Sequence, residues 1–126
     1  MKIVLLICVA GVLGTLSRFF AVKGVNALLP NFPWGTLCVN VAGAFIAGFC
    51  YVMCKSKFAG FEQYFPVLFV GFLGAFTTFS AFALESSLLL AESAYGKFLL
   101  NILLQNASGI AAAIGGILLA KFFFAS

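Results

Sequence analysis

The chain has 126 residues, of which 64% are hydrophobic and only 8% charged, with a net charge of +4. A soluble domain of this size would leave too much of that apolar surface in water, so a water-soluble globular fold is excluded. The seven Lys and Arg residues are scattered over the ends of apolar stretches, which is flanking charge and argues against nucleic acid as a partner.

A helix needs about 20 apolar residues to cross a bilayer, and the sequence offers four such stretches. The first runs from Ile3 to Leu29 and stops at Leu29-Pro30-Asn31-Phe32-Pro33, where two prolines discourage helix continuation. Its Met-Lys start mimics a secretory signal, but no clear small-residue cleavage site follows, so it is read as a retained span. Trp34 falls where an interfacial aromatic belongs. The second span covers Gly35 to Cys54 and is closed by Lys55-Ser56-Lys57. Pro66, suited to a first helical turn, opens a third span that reaches Ala91, and the fourth occupies Lys97 to Phe124. The expected fold is a single all-α membrane domain over residues 1–126 with four transmembrane helices.

Enzyme chemistry finds no support. Cys8, Cys38, Cys50 and Cys54 lie inside the spans without a Cys-x-x-Cys pair, histidine is absent, and Glu62, Glu85 and Glu92 are the only acids. No nucleophile–base pair, carboxylate dyad or side-chain metal site follows from such a set. The cysteines read as small buried apolar residues.

Polar residues inside the spans are informative because each is costly in hydrocarbon without a partner or water. Thr36 and Asn40 stand four apart on one face of the second span. The third carries Thr77, Thr78, Ser80, Glu85, Ser86 and Ser87, and the fourth Asn101, Gln105, Asn106 and Ser108. These line a polar track or serve as hydrogen-bonding glue between helices. Arg18, near the far end of the first span, either snorkels to the head groups or faces an aqueous vestibule that attracts anions. Glu85 reads equally as a salt-bridge partner or an exposed helix end. Ala44 and Gly48, with Ala107, Ala111 and Gly115, form small-residue stripes for close helix packing.

The run Gly71-Phe72-Leu73-Gly74-Ala75-Phe76-Thr77-Thr78-Phe79-Ser80-Ala81-Phe82 is the most specific feature. Paired threonines and glycines weaken a helix, and broken backbone at membrane depth is tolerated only when buried in protein or lining a water-filled cavity. A break frees carbonyl oxygens, and Gly74 and Thr77 are placed to present theirs to a small hard cation such as Na⁺. Phe79 and Phe82, three apart, share a face if the helix resumes there. Their ring edges carry partial positive charge and can touch an anion without holding it tightly, with Asn40 and Ser80 as hydrogen-bond donors.

Three segments in this order resemble the small fluoride channels called Fluc or CrcB. They are Gly11-Val12-Leu13-Gly14-Thr15-Leu16-Ser17-Arg18, Gly35-Thr36-Leu37-Cys38-Val39-Asn40-Val41-Ala42-Gly43, and Gly71 to Phe82. The resemblance implies a dual-topology antiparallel homodimer in the lipid of the cell (inner) membrane. It implies two antiparallel pores that export fluoride passively, conferring fluoride resistance, and one structural Na⁺ at the dimer centre. Phe79 and Phe82 then line the fluoride path, Asn40 is its amide donor, Ser80 and Thr36 extend the polar track, and Arg18 is the vestibule arginine. Gly74 and Thr77 match the positions whose backbone oxygens hold Na⁺. The family often carries hydroxyl or histidine side chains where this chain has Gln105, Gly109 and Ala113.

The rival reading is a small four-helix proton-coupled multidrug exporter. It needs a membrane-embedded carboxylate as proton carrier, and the first span has no Asp or Glu. A holin-like lesion protein would leave Asn40 and the glycine–threonine run unexplained.

Overall fold

A computed structural model of the chain describes residues 1–58 and 60–124. Helix α1 spans Lys2–Leu28 and α2 spans Trp34–Lys57. The third apolar stretch is composite: a 3₁₀ turn at Glu62–Tyr64, a π-helical segment at Val67–Leu73, one helical turn α3 at Gly74–Phe76, and α4 at Phe79–Ala91. Helix α5 spans Tyr95–Phe124. Four helical stretches are long and apolar enough to cross a membrane, the third counted from Glu62 to Ala91.

The bounds differ from the sequence reading by a few residues, each for a local reason. Trp34 is the first residue of α2 rather than a residue before it, because Pro33 takes the N-cap position. Asn26 of α1 accepts the Gly35 N–H through Oδ1 at 2.8 Å, satisfying one of the amides that a first helical turn leaves open. At the other end α2 continues through Lys55-Ser56-Lys57, because nothing in that tripeptide breaks a helix and both lysines favour its negative end. Helix α5 starts at Tyr95 after a tight connection in which Ser93 takes φ +57°.

Helix α2 packs along α5, while α1 packs against the π-helical segment and α3. The α2–α5 approach is set by Gly48 and Gly116. A Cβ on Gly48 would overlap the Ala113 carbonyl oxygen, and one on Gly116 would overlap that of Phe45. The stripe expected at Ala107, Ala111 and Gly115 is therefore displaced by one residue, since Gly115 has about 4.0 Å of room beside the Phe45 ring. Van der Waals contact between such closely placed backbones is the main force joining helices in lipid, which is as apolar as the side chains it touches.

Long apolar side chains face outward, including Leu5, Val9, Leu13, Phe20, Leu99, Leu103 and Phe122. The buried set is partly polar: Thr36, Ser86, Asn101 and Gln105 lie among Leu37, Val39, Leu73 and Phe82. The cysteine reading needs correction. Only Cys54 is buried, and Cys8 and Cys38 lie on the outer surface. With its apolar exterior and four spans, the chain is a multi-pass membrane protein.

Candidate functional site

Between α3 and α4 the backbone leaves the helix for two residues. Thr77 (φ −89°, ψ 158°) and Thr78 (φ −151°, ψ 114°) are extended. Each hydroxyl stabilises a neighbouring helix end. Thr77 Oγ1 donates to the Leu73 carbonyl at 2.9 Å, and Thr78 Oγ1 accepts the Ala81 N–H at 3.2 Å as the N-cap of α4. Thr78 Oγ1 also shares a 3.2 Å hydrogen bond with Ser80 Oγ.

Extended residues have main-chain groups that no helix satisfies, and Asn40 of α2 takes both of those on Thr78. The Thr78 N–H donates to Asn40 Oδ1 at 2.8 Å, and Asn40 Nδ2 donates to the Thr78 carbonyl at 3.1 Å. The side-chain amide thus pairs with Thr78 as a neighbouring β-strand would. Gly43, one turn further along α2, leaves the space into which Thr77 Cγ2 and the Phe76 ring pack. The second N–H of Asn40 donates to Gln105 Oε1 on α5 at 3.0 Å, so both of its donors are used inside the protein.

Two grooves meet at Thr78, which lines both. The first, of about 440 Å³, is bordered by Asn40, Gly74, Thr77, Phe79, Phe82 and Gln105. The Phe79 and Phe82 rings stand edge to face, with centroids 5.6 Å apart. Phe79 is 78% exposed and Phe82 only 9%, so one ring is held by the fold and the other stands at its surface. The second groove, of about 600 Å³, holds Arg18, Lys23, Thr36, Ser80 and Glu85. Thr36 Oγ1 donates to Glu85 Oε1 at 2.6 Å, and Arg18 Nη1 reaches the Thr77 carbonyl at 3.4 Å.

The residues singled out from sequence therefore divide between adjoining grooves: Asn40, Gly74, Thr77, Phe79 and Phe82 on one, Arg18, Thr36 and Ser80 on the other. Arg18 borders the second groove, and its guanidinium turns toward the Thr77 carbonyl oxygen. Glu85 is neither a salt-bridge partner nor an exposed helix end: it is held by the Thr36 hydroxyl, and its Oε2 is buried without a partner among the described residues.

Thr78 and Gln105 were not among the predicted site residues. The signal for Thr78 was its place three residues before Ala81, as the cap of a restarting helix. For Gln105 the signals were a polar residue in an apolar helix, which it shares with its neighbours, and its place where the resembled family often carries hydroxyl or histidine side chains. Of those neighbours Asn106 also borders the first groove, with its Nδ2 bonding Ile102 O at 2.7 Å, while Ser108 Oγ bonds Leu104 O and Asn101 Nδ2 bonds Ser86 Oγ at 3.0 Å.

The carbonyls proposed for a cation can be tested against this geometry. In a continuous helix the Thr78 N–H would close onto Gly74 O, but here it goes to Asn40. Gly74 O loses that donor, and Thr77 O keeps only the long contact to Arg18. Two backbone oxygens released at one break are hard, neutral ligands of the kind that Na⁺ takes.

Residues 5–117 match the family model described as CrcB-like protein, Camphor Resistance (CrcB). The chain belongs to this family. Among its CrcB relatives, the fluoride-specific ion channel FluC of Legionella pneumophila (strain Lens) is 40% identical over 119 residues, 94% of this chain and 89% of the relative. The FluC of Desulforapulum autotrophicum is 41% identical over 116 residues, covering 91% of this chain and 93% of the relative. That of Vibrio vulnificus (strain YJ016) is 38% identical over 116 residues, 91% and 92% of the two chains. The relatives of this CrcB protein are named as ion channels and not as enzymes.

Proposed function

We propose that this CrcB protein is a fluoride-selective channel that lets fluoride leave the cell passively. The observation that carries the reading is the groove at a helix break that the edge-to-face Phe79–Phe82 pair borders together with the side-chain amides of Asn40 and Gln105. Fluoride is small and strongly hydrated. A path for it must replace water with donors that are numerous and individually weak, or the ion stays bound. Aromatic edges and neutral amides meet that condition, and a lysine or arginine in the same place would trap the anion.

The ion enters through the second groove, where Arg18 and Lys23 raise the local concentration of anions. Ser80 and Thr36 offer hydroxyls on the way, and Thr78, common to both grooves, marks the passage to Phe79 and Phe82. Fluoride that enters a cell as neutral HF dissociates at cytoplasmic pH. A membrane potential negative inside then drives the anion out, at about 2.3 kcal/mol per charge per 100 mV.

The assembly that fits this reading is an antiparallel homodimer with two pores. With four spans, Lys2, Lys55, Lys57 and Lys121 lie on one side and Arg18, Lys23 and Lys97 on the other. Such a balance gives no strong preference under the positive-inside rule, and copies inserted both ways meet across a two-fold axis in the membrane plane. The interruption at Thr77-Thr78 then lies mid-membrane near that axis. Na⁺ held there by Gly74 O and Thr77 O of both copies supplies fixed positive charge that satisfies the released carbonyls.

Four measurements check these points. Reconstituted protein is expected to release fluoride from proteoliposomes, read by a fluoride electrode, and not chloride. Phe79→Ile and Phe82→Ile, which keep bulk and lose the ring edge, should each lower the rate by about tenfold or more, the loss of roughly one 1.4 kcal/mol interaction. Parental rates in both folded variants would remove the rings from the path. A single cysteine at position 56 of a cysteine-free variant should be labelled in comparable fractions from each face of the membrane, and labelling from one face only would end dual topology. Exchange of Na⁺ for a large organic cation should lower the melting temperature of the purified protein, and an unchanged value would contradict a structural Na⁺.

A further inference from the structure

Past the end of α2 the chain turns into the third span through an aromatic corner. The Phe61 N–H donates to the Phe58 carbonyl at 3.0 Å, and the Tyr64 N–H donates to the Phe61 carbonyl at 2.9 Å. Consecutive three-residue turns of this kind bring their side chains to one side. With Cys54, Phe65 and Leu68, these three rings line a groove of about 360 Å³ that shares no residue with the two grooves meeting at Thr78. The volume suits a small apolar ligand, and no charged side chain lines the groove.

The depth of the groove in the bilayer makes this surface unusual. Helix α2 is long enough to cross the hydrocarbon by itself, so the corner that follows it lies at head-group level. Phe58, Phe61 and Tyr64 are 46%, 58% and 45% exposed there. Apolar side chains along a span are covered by lipid tails, but a concave aromatic surface at head-group depth meets water unless a hydrocarbon chain enters it.

The charge beside the groove specifies what enters. Cys54 and Phe58 enclose Lys55-Ser56-Lys57 in the chain and stand on one stripe of α2. At about 100° per residue, Lys55 and Lys57 project about 80° to either side of that stripe, and both are exposed. Lys55 Nζ rests 4.7 Å from the centre of the Tyr51 ring, a cation–π contact that keeps its ammonium against the helix. Lys2 and Lys121 belong to the same end of the bundle. Glu62 is the one acid at that end, and its Oε2 accepts the Gly60 N–H at 2.9 Å.

We infer that this groove seats an acyl chain of an anionic phospholipid whose phosphate lies between Lys55 and Lys57. A zwitterionic lipid presents its own ammonium beside its phosphate and offsets the attraction. A second copy of this chain would bring further lysines to the same place. The site stands independently of the fluoride reading.

The test moves the single tryptophan of the chain into the groove, as Trp34→Phe with Tyr64→Trp. This reporter protein is reconstituted in phosphatidylcholine with a small fraction of brominated phosphatidylglycerol or brominated phosphatidylcholine, whose bromines quench tryptophan on contact. Brominated phosphatidylglycerol should quench as though about tenfold more concentrated than brominated phosphatidylcholine, since each lysine near an anionic head group adds several-fold. Lys55→Gln with Lys57→Gln, both at exposed positions, should bring the two lipids within about twofold of each other. Leu68→Phe, which fills the groove and keeps both lysines, should also cut the preference several-fold, with thermal melting as the control for folding.

An undiminished preference in folded Leu68→Phe protein would mean attraction to a charged surface alone and would overturn the groove. Equal quenching by the two lipids in the reporter protein, or a preference untouched by the lysine changes, would overturn the site even where Leu68→Phe does not fold. Quenching by neither lipid would mean that protein covers the groove, and it would overturn the lipid as occupant.

Discussion

Thr78 has an amide and a carbonyl that no helix can satisfy, and one side chain, Asn40, answers both. In water such groups would turn to solvent. In hydrocarbon each would cost several kcal/mol, so an interruption between α3 and α4 persists only where protein supplies the partners. Every other feature of the site follows from that pairing. It releases the Gly74 carbonyl from its helical donor, restarts the chain at Phe79 with Thr78 as cap, and fixes which way the amides of Asn40 and Gln105 face.

On the channel reading proposed above, the same pairing explains how a chain so poor in charge handles an ion. Charge in a low-dielectric interior is held too strongly or excluded, whereas neutral dipoles fixed by their neighbours offer intermediate attraction. Cationic residues are kept to the second groove, at Arg18 and Lys23, and the first is bordered by ring edges and amides. Thr78 lies where the two meet, so the residue that interrupts the helix also joins the charged and neutral parts of the site.

Much of the architecture was legible in the sequence because it rests on composition. Four apolar stretches of bilayer length give four spans, and Pro30 and Pro33 separate the first two whatever the tertiary context. Local chemistry likewise located the Gly71–Phe82 run. What stayed hidden depends on partners distant in the chain. Asn40 and Gln105 are 65 positions apart, and nothing in either segment says that the donors of one are spent on the other. Glu85 was ambiguous for the same reason, since its partner Thr36 lies on another helix. The π-helical segment at Val67–Leu73 has no local signature, and the one-residue shift of the small stripe on α5 reflects a rotation that Phe45 and Gly116 settle between them.

The central claim is that Asn40 holds Thr77 and Thr78 out of the helix. Carbon chemical shifts of these two threonines, measured by solid-state NMR on labelled protein in bilayers, report their backbone conformation directly. Both positions should give extended values in the parent, with a change at Thr78 when Asn40 is replaced by alanine. Helical shifts running unbroken from Gly74 to Ser80 in the parent would contradict it.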